Sequence, residues 1–199
     1  MKLAAGLGNP GDEYAGTRHN AGFMALERLA GAGSQVHWKA AHGGLLTTLG
    51  SGDQKLVLLR PMTYMNLSGG AVLAVMRFYG LSIDDLLVVV DDIALPCGAL
   101  RLRPGGSSGG HNGLASVERS LGQMAAAAGK TGRDYARLRI GIDAPGRVPL
   151  DQYVLGKFTA GQWNLVEPAL NQAADAVQCW ADFGLTTAMN RFNIAASAE

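Results

Sequence analysis

Apolar and polar positions follow two distinct patterns along the chain. Short continuous apolar runs bounded by Gly, Pro, Asn or Asp predict buried strands, and apolar residues three or four positions apart predict helices. The predicted strands are Lys2–Leu7, Gln35–Ala41, Leu45–Leu49, Lys55–Leu59, Leu86–Val90, Ala99–Arg103 and Tyr135–Asp143. The predicted helices are Arg18–Ala30, Ser68–Tyr79, His111–Leu121, Thr159–Phe183 and Thr186–Phe192.

This order of elements predicts an α/β protein. Gly-rich turns join the strands between positions 35 and 59, so some antiparallel pairing and hence a mixed sheet are expected. With 199 residues, no internal repeat and no long linker, residues 1–199 are expected to form a single domain. Thr17 and Ser68 are predicted N-caps, and Gly80 is a predicted helix end.

Charge is unevenly distributed in a chain whose net charge is only +1. The segment 101–147 holds eight Arg and Lys against three acidic residues, so it carries +5. Such a segment could contact phosphate from one face, although a merely solvated basic surface is equally consistent with it.

Composition also narrows the setting of the protein. Neither a signal peptide nor a membrane-spanning run is evident, so a cytoplasmic, membrane-free location is expected. Cys97 and Cys179 lie far apart without metal-ligand spacing, and neither a metal nor a cofactor is expected.

Candidate chemistry concentrates at three junctions between predicted elements, where α/β folds build active sites. The three polar clusters are Asn9 with Tyr14 and His19, the run Tyr64-Met65-Asn66, and Asp91 with His111-Asn112.

Among these residues, His19 is the candidate general base. Its predicted place in a first helical turn disfavours the imidazolium and keeps the ring able to accept a proton near neutral pH. Asp91, at the end of a predicted central strand, would orient the ring. A histidine that is only exposed or capping remains the alternative from this pattern alone.

A covalent nucleophile is not indicated. The chain has no Gly-x-Ser-x-Gly elbow, and the Gly-Ser loop Pro104–Gly110 lacks the Lys-Ser/Thr ending of a nucleotide-binding loop. Direct attack by water is therefore expected, with asparagine NH₂ groups donating to the developing oxyanion.

Taken together, several separated motifs resemble bacterial peptidyl-tRNA hydrolases. They are Gly6-Leu7-Gly8-Asn9-Pro10-Gly11, Tyr14, Thr17-Arg18-His19-Asn20-Ala21-Gly22-Phe23, Pro61, Thr63-Tyr64-Met65-Asn66-Leu67-Ser68-Gly69, and Gly105-Gly106-Ser107 through His111-Asn112-Gly113-Leu114. They occur in family order over nearly the whole chain, which makes chance agreement a poor explanation.

The resemblance implies a single three-layer α/β/α domain with a mixed twisted sheet, which hydrolyses the ester of peptidyl-tRNA as a monomer without metal. It implies the catalytic group His19, Asp91 and Asn9. It further implies peptide or water contacts at Asn66 and Asn112, a cleft wall at Tyr64 and Met65, and a substrate contact at Tyr14. Contacts to tRNA phosphates are implied at Arg101, Arg103 and Arg137.

The sequence departs from the family pattern at Val90, Ala94 and Ala115, where histidine, an acidic residue and a basic residue are usual. Strand alternation predicts that Val90 points away from the face that Asp91 lines. The segment Gln123–Arg133 is expected to be a mobile loop that adds basic contacts. The main alternative function is an RNA-binding module without catalysis, and a generic esterase fits the basic segment less well.

Overall fold

The computed structural model describes residues 1–31 and 36–193, and it contains seven strands and six α-helices within those ranges. The strands are β1 (Lys2–Gly6), β2 (Lys39–Ala41), β3 (Gly44–Leu49), β4 (Leu56–Pro61), β5 (Leu86–Asp92), β6 (Leu100–Arg103) and β7 (Ala136–Gly141). The helices are α1 (Ala21–Gly31), α2 (Ser68–Tyr79), α3 (Asn112–Ala127), α4 (Leu150–Leu155), α5 (Ala160–Phe183) and α6 (Leu185–Phe192).

All seven strands form one sheet, in the order β2-β3-β4-β1-β5-β7-β6. The four central strands β4, β1, β5 and β7 are mutually parallel. The pairs β2–β3, β3–β4 and β6–β7 are antiparallel. The predicted mixed α/β sheet is therefore confirmed, and the carboxyl ends of the four parallel strands meet at one edge.

Two hydrophobic cores cover the two faces of this sheet, because successive strand residues point to opposite faces. Helices α1, α5 and α6 pack on one face, over residues such as Leu87 and Val89. Helices α2 and α3 pack on the other, over residues such as Val88 and Val90. The expected three layers are thus present, and Val90 lies in the core of the α2 and α3 face, as alternation predicted.

Helix α1 packs unusually close to the sheet. A Cβ on Gly22 would lie 2.5 Å from the backbone nitrogen of Leu7, and one on Gly6 would collide with the backbone of Gly22. The Leu7 amide donates to the carbonyl of Val89 at 2.9 Å. Backbone contact at Gly22 therefore fixes where the turn before α1, which carries His19, meets the end of β5.

Several predicted element boundaries differ from the structure. Strand β2 spans only Lys39–Ala41, and the predicted start at Gln35 falls outside the described residues. The prediction of a loop at Gln123–Arg133 is wrong for its first half, residues 123–127, because α3 continues to Ala127 before a turn at Gly129. Helix α4 was not predicted.

The predicted caps have a mixed outcome. Gly80 ends α2 in the left-handed conformation, at a φ of 64°, as expected. Ser68 is the first helical residue and not the N-cap, and its hydroxyl is buried without a partner among the described residues. The Thr17 hydroxyl donates to the Tyr14 carbonyl at 2.8 Å instead of capping a helix.

In the described part of the chain, none of the helices has the length and apolarity that crossing a membrane requires.

Replacing Gly22 by Ala is expected to destabilise the protein by about 3 kcal/mol or more, because the new methyl group meets backbone atoms that cannot rotate away. Gly70→Ala is the matched control, since a Cβ there meets nothing within 4 Å and Gly70 lies in a helix. That variant should gain about 0.5–1 kcal/mol. Urea unfolding measures both, and equal stability of the two variants would contradict the close-packing argument.

Candidate active site

A cleft of about 360 Å³ opens at the carboxyl edge of the parallel strands. Its floor is the end of β5, one wall is the glycine-serine loop before α3, and α4 lies on the opposite side. The polar side chains lining it are His19, Asp91, Asp92, Ser108, His111, Asn112, Arg139 and Asp151. Two of the three predicted polar clusters, those of His19 and Asp91, therefore converge here.

His19 and Asp91 are in direct contact. His19 lies in a short 3₁₀ turn, Arg18–Asn20, immediately before α1, and its Nδ1 lies 2.9 and 3.1 Å from the two carboxylate oxygens of Asp91. Both side chains are buried. An ionised carboxylate only accepts hydrogen bonds, so Nδ1 carries the proton and Nε2 of a neutral His19 keeps its lone pair. The ring is held in the tautomer that a general base needs.

A second imidazole contacts the same carboxylate. Nε2 of His111 lies 3.1 Å from Oδ1 of Asp91, while its Nδ1 accepts from the amides of Gly113 and Leu114 at 3.1 and 3.3 Å. Backbone amides can only donate, so Nδ1 is unprotonated and Nε2–H donates to Asp91. His111 is thus the N-cap of α3 and a second donor to Asp91.

The two imidazoles control the ionisation of Asp91. Burial alone would raise the pKa of this carboxyl, but the nearby charge and hydrogen bonds of His19 and His111 outweigh it. The net effect places the pKa of Asp91 well below its ordinary value. Asp91 therefore remains an anion throughout the neutral pH range and below it.

Asn9 connects three segments around the cleft. Its Oδ1 accepts from the amide of Met65 at 2.7 Å, and its own amide donates to Oδ1 of Asn20 at 2.8 Å. The Asn20 side chain returns a bond to the Asn9 carbonyl at 3.0 Å. Because Asn20 follows His19 directly, this reciprocal pair also fixes the turn that carries His19, a role of Asn20 that the sequence did not indicate.

The other predicted contacts to the peptide lie around this framework. Asn66 and Asn112 are exposed, and neither amide bonds to any residue in the described ranges, so both are available to a ligand. Tyr64 is exposed beside the buried Met65. Tyr14 is half-buried in the turn Asp12–Tyr14 and does not line the cleft.

The C-terminal end of helix α4 is attached to the turn that carries His19. The Arg18 amide donates to the Gly156 carbonyl at 3.0 Å, and Nη1 of Arg18 donates to the Tyr153 carbonyl at 3.0 Å. The guanidinium also stacks 4.1 Å from the centroid of the Tyr153 ring. Leu150 and Val154 of α4 line the cleft. The residue before His19 thus holds the side of the cleft opposite the loop.

The three predicted contacts to phosphate have different surroundings. Arg101 and Arg103 are exposed on the edge strand β6, as a contact to a large anionic substrate requires. Arg137 has no exposed surface. Its guanidinium donates to the carbonyls of Ser107 at 2.8 Å and Arg133 at 3.2 Å. The expectation for Arg137 is corrected: this side chain supports the glycine-serine loop and cannot reach a phosphate from this position.

Arg139 is the cationic residue of β7 that lines the cleft, and the sequence reasoning missed it. It donates to Asp92 at 3.0 Å and to the Ser107 carbonyl at 3.3 Å. Arg137 and Arg139 share one face of the strand, but Arg139 lies nearer its carboxyl end. Since cleft residues come from the carboxyl ends of parallel strands, that position was the available signal.

His19, Asp91 and His111 are close enough together to raise the question of a metal site, since their donor atoms lie within 4.8 Å of one another. A metal at Nε2 of His111 would need an unprotonated nitrogen there. The backbone amides bound at Nδ1 require the opposite tautomer. The hydrogen-bonding pattern therefore fits a carboxylate that accepts hydrogen bonds from two imidazoles better than a metal-binding site.

The arrangement has the parts of a water-activating esterase site. A neutral imidazole keeps one lone pair, a buried anion stabilises the imidazolium formed on proton uptake, and asparagine amides stand at the rim.

Comparison with known proteins identifies the family of the chain. A family model described as peptidyl-tRNA hydrolase matches residues 3–199. A peptidyl-tRNA hydrolase of Desulforamulus reducens is 43% identical over 193 residues, which cover 97% of this chain and 89% of that protein. One from Prochlorococcus marinus is 45% identical over 203 residues, covering 97% and 93%.

Solved structures give the same result. The crystal structure of peptidyl-tRNA hydrolase from Acinetobacter baumannii superposes with a TM-score of 0.85 at 35% identity, covering 98% of this chain and 95% of that one. On the sequence and the fold together, the chain belongs to the peptidyl-tRNA hydrolase family.

Proposed function

We propose that this protein hydrolyses the ester that joins a peptide to tRNA, with His19 as the general base. The observation that carries the proposal is the buried contact of 2.9 Å between His19 Nδ1 and Asp91, which leaves Nε2 as the proton acceptor. Family membership supplies the substrate class, and the cleft supplies the reactive group.

The reaction proceeds by direct attack of water on the acyl carbon. His19 Nε2 takes a proton from the water while its oxygen adds to the carbonyl, and Asp91 stabilises the imidazolium. Asparagine NH₂ groups, with Asn9 and Asn112 as candidates, donate to the oxyanion of the tetrahedral intermediate. The intermediate collapses, the carbon–oxygen bond to ribose breaks, and the imidazolium returns its proton to the leaving hydroxyl. The products are a free peptide acid and tRNA.

Substrate binding divides between two groups of residues. Asn66 and Asn112 bind the peptide backbone beside the ester, with Tyr64 and Met65 as the wall. Arg101, Arg103 and Arg139 contact the phosphates of the acceptor end, where contacts position the substrate without reading base sequence. A site that serves every tRNA needs this kind of recognition.

A catalytic role is favoured over a non-catalytic RNA-binding module. RNA binding alone does not need a buried carboxylate that fixes the tautomer of an imidazole, because burying such a group is costly without a compensating use. We further propose that the protein acts in the cytoplasm as a monomer and that its chain forms a single domain.

Replacement of His19 by Ala is expected to lower kcat by a factor of roughly 10² to 10⁴, as loss of a general base does. Binding of tRNA should be retained, since His19 makes no contact to phosphate in this scheme. Hydrolysis of N-acetyl-aminoacyl-tRNA, with and without a chelator, measures the rate. A near-normal rate in the folded variant would exclude His19 as the base.

Graded effects are expected around Asp91. Asp91→Asn preserves the shape but removes the anion, and its NH₂ group can hold His19 in the wrong tautomer. The kcat should therefore fall by roughly 10²- to 10⁴-fold. His111→Ala removes one of two donors and should cost about tenfold. Single-turnover rates on one substrate give the order, and a loss at His111 as large as that at His19 would reverse the assignment of the base.

Arg103→Ala is expected to raise KM and to flatten its dependence on salt, since each lost phosphate contact reduces counterion release by about one ion. Arg137→Lys is the matched comparison: it should lower the melting temperature and leave the salt slope unchanged, because Arg137 is buried. The slope of log KM against log salt concentration distinguishes them. An unchanged slope for the Arg103 variant would remove it from the interface.

A further inference from the structure

The side chain of Arg18, in the turn before α1, is a buried cation. Only 6% of the residue is exposed, and its Cζ lies 4.1 and 5.5 Å from the ring centroids of Tyr153 and Phe158. Among the residues that the structure describes, no Asp or Glu forms an ion pair with this guanidinium. Because a buried charge is costly unless polar groups surround it, the acceptors that Arg18 does have are important.

Gln162, in the first turn of α5, supplies the side-chain acceptor for Arg18. Nη2 of Arg18 donates to Oε1 of Gln162 at 2.6 Å, while Nη1 donates to the Tyr153 carbonyl at 3.0 Å. A guanidinium can only donate, so the oxygen of the Gln162 amide must be the atom that faces Arg18. The nitrogen of the same amide is therefore left for a different set of partners.

The amide nitrogen of Gln162 faces a hydroxyl and a carboxylate. Nε2 donates to the Tyr153 hydroxyl at 3.1 Å and lies 3.5 Å from Oδ2 of Asp143. The other oxygen of Asp143 accepts from the Cys97 amide at 2.7 Å. The negative end of the Gln162 amide thus faces a cation and its positive end faces a carboxylate, so the amide connects Arg18 to Asp143 without a direct ion pair.

These contacts join several segments that surround the cleft. Cys97 follows β5, Asp143 follows β7, and Tyr153 belongs to α4. Asp143 adopts the left-handed conformation at a φ of 63°, which is uncommon for a residue other than glycine, and its carboxylate contacts help to hold it there. Gln162 therefore contacts α4, the segment after β7 and the turn that carries His19 through one amide group.

Capping of α5 alone does not account for the contacts of Gln162. Gln162 and Thr159 form a capping box, in which each side-chain oxygen accepts from the other residue's amide at 3.2 Å. Such a box needs no third residue. The bond from Arg18 is shorter, at 2.6 Å, and comes from a charged donor. Since Nε of Arg18 is already buried without a partner among the described residues, loss of Gln162 would leave a second buried N–H group unpaired.

We propose that Gln162 is a positioning residue for ester hydrolysis: its amide holds Arg18 in the buried position and thereby fixes the turn that carries His19. This inference rests on the proposed function. Without the amide oxygen, the guanidinium turns toward water, because an unpaired buried N–H group of a cation is unfavourable, and it releases the Tyr153 carbonyl. His19 is the next residue in the chain, so its imidazole then loses its fixed distance to Asp91.

Two substitutions of Gln162 test the proposal. Gln162→Met keeps the length of the side chain but removes the acceptor, so kcat/KM for N-acetyl-aminoacyl-tRNA should fall by about five- to twentyfold. Gln162→Glu keeps an oxygen that faces Arg18 and the Thr159 amide, and it should retain about one third or more of the wild-type kcat/KM. Rescue by Glu and not by Met identifies acceptance from Arg18 as the property that matters.

Thr159→Ala is the matched control, because it removes the other half of the capping box and leaves the contact between Gln162 and Arg18 in place. It should lower stability to urea but keep kcat/KM within about twofold of the wild type. A second measurement reports on His19 itself. The proton on its Nδ1, which is bonded to Asp91, should exchange with solvent faster in Gln162→Met, and at the wild-type rate in Thr159→Ala, as measured by NMR.

Three results would overturn the proposal. They are a Gln162→Met variant with wild-type kcat/KM and wild-type proton exchange, a Gln162→Glu variant as slow as Gln162→Met, and a Thr159→Ala variant as slow as Gln162→Met. The last result would assign the loss to helix capping. Failure of the wild-type protein to cleave the substrate would instead refute the proposed function, and the proton exchange of His19 would still test its dependence on Gln162.

Discussion

The active site depends on a single buried carboxylate shared by two imidazoles. Asp91 comes from the end of the central strand β5, His19 from the turn before α1 and His111 from the N-cap of α3. Their contacts join both helical layers to the sheet at one point. The Asp91 carboxylate fixes the proton of His19 on Nδ1, and the backbone amides of Gly113 and Leu114 fix the proton of His111 on Nε2. The same contacts therefore stabilise the negative charge of Asp91 and leave the lone pair of His19 on Nε2.

Close packing of the α1 backbone against the sheet brings these three side chains together. The contact between Gly22 and the backbone at Leu7 leaves no room for a side chain. The distance between the start of α1 and the sheet is therefore fixed. The position of His19 relative to Asp91 is therefore set by chain packing and not by side-chain adjustment. Chemistry in this site relies on rigid elements on one side and on an exposed, asparagine-bearing rim on the other.

Much of this arrangement could be predicted from the sequence, but not all of it. Apolar runs and helical spacing predicted most elements, and the resemblance of motifs identified His19 and Asp91. The pattern could not predict the burial of Arg137, because Arg137 and Arg139 share one face of β7. Contacts with the Ser107 and Arg133 carbonyls and with Glu118 of α3 decide which of them is covered. The sequence placed His111 in one cluster with Asp91, but it could not reveal that the same ring also caps α3, because that bond is made to backbone amides.

The attachment of α4 through Arg18 has a consequence for enzymology. Arg18, which directly precedes His19 in the chain, also anchors α4 at the wall of the cleft, so a displacement of that wall is transmitted through one peptide bond to the His19 imidazole. Admission of substrate and alignment of the reactive nitrogen are then mechanically coupled. Perturbations of the wall should change affinity and turnover in concert, and a kinetic scheme that treats the two steps as independent would misassign their origin.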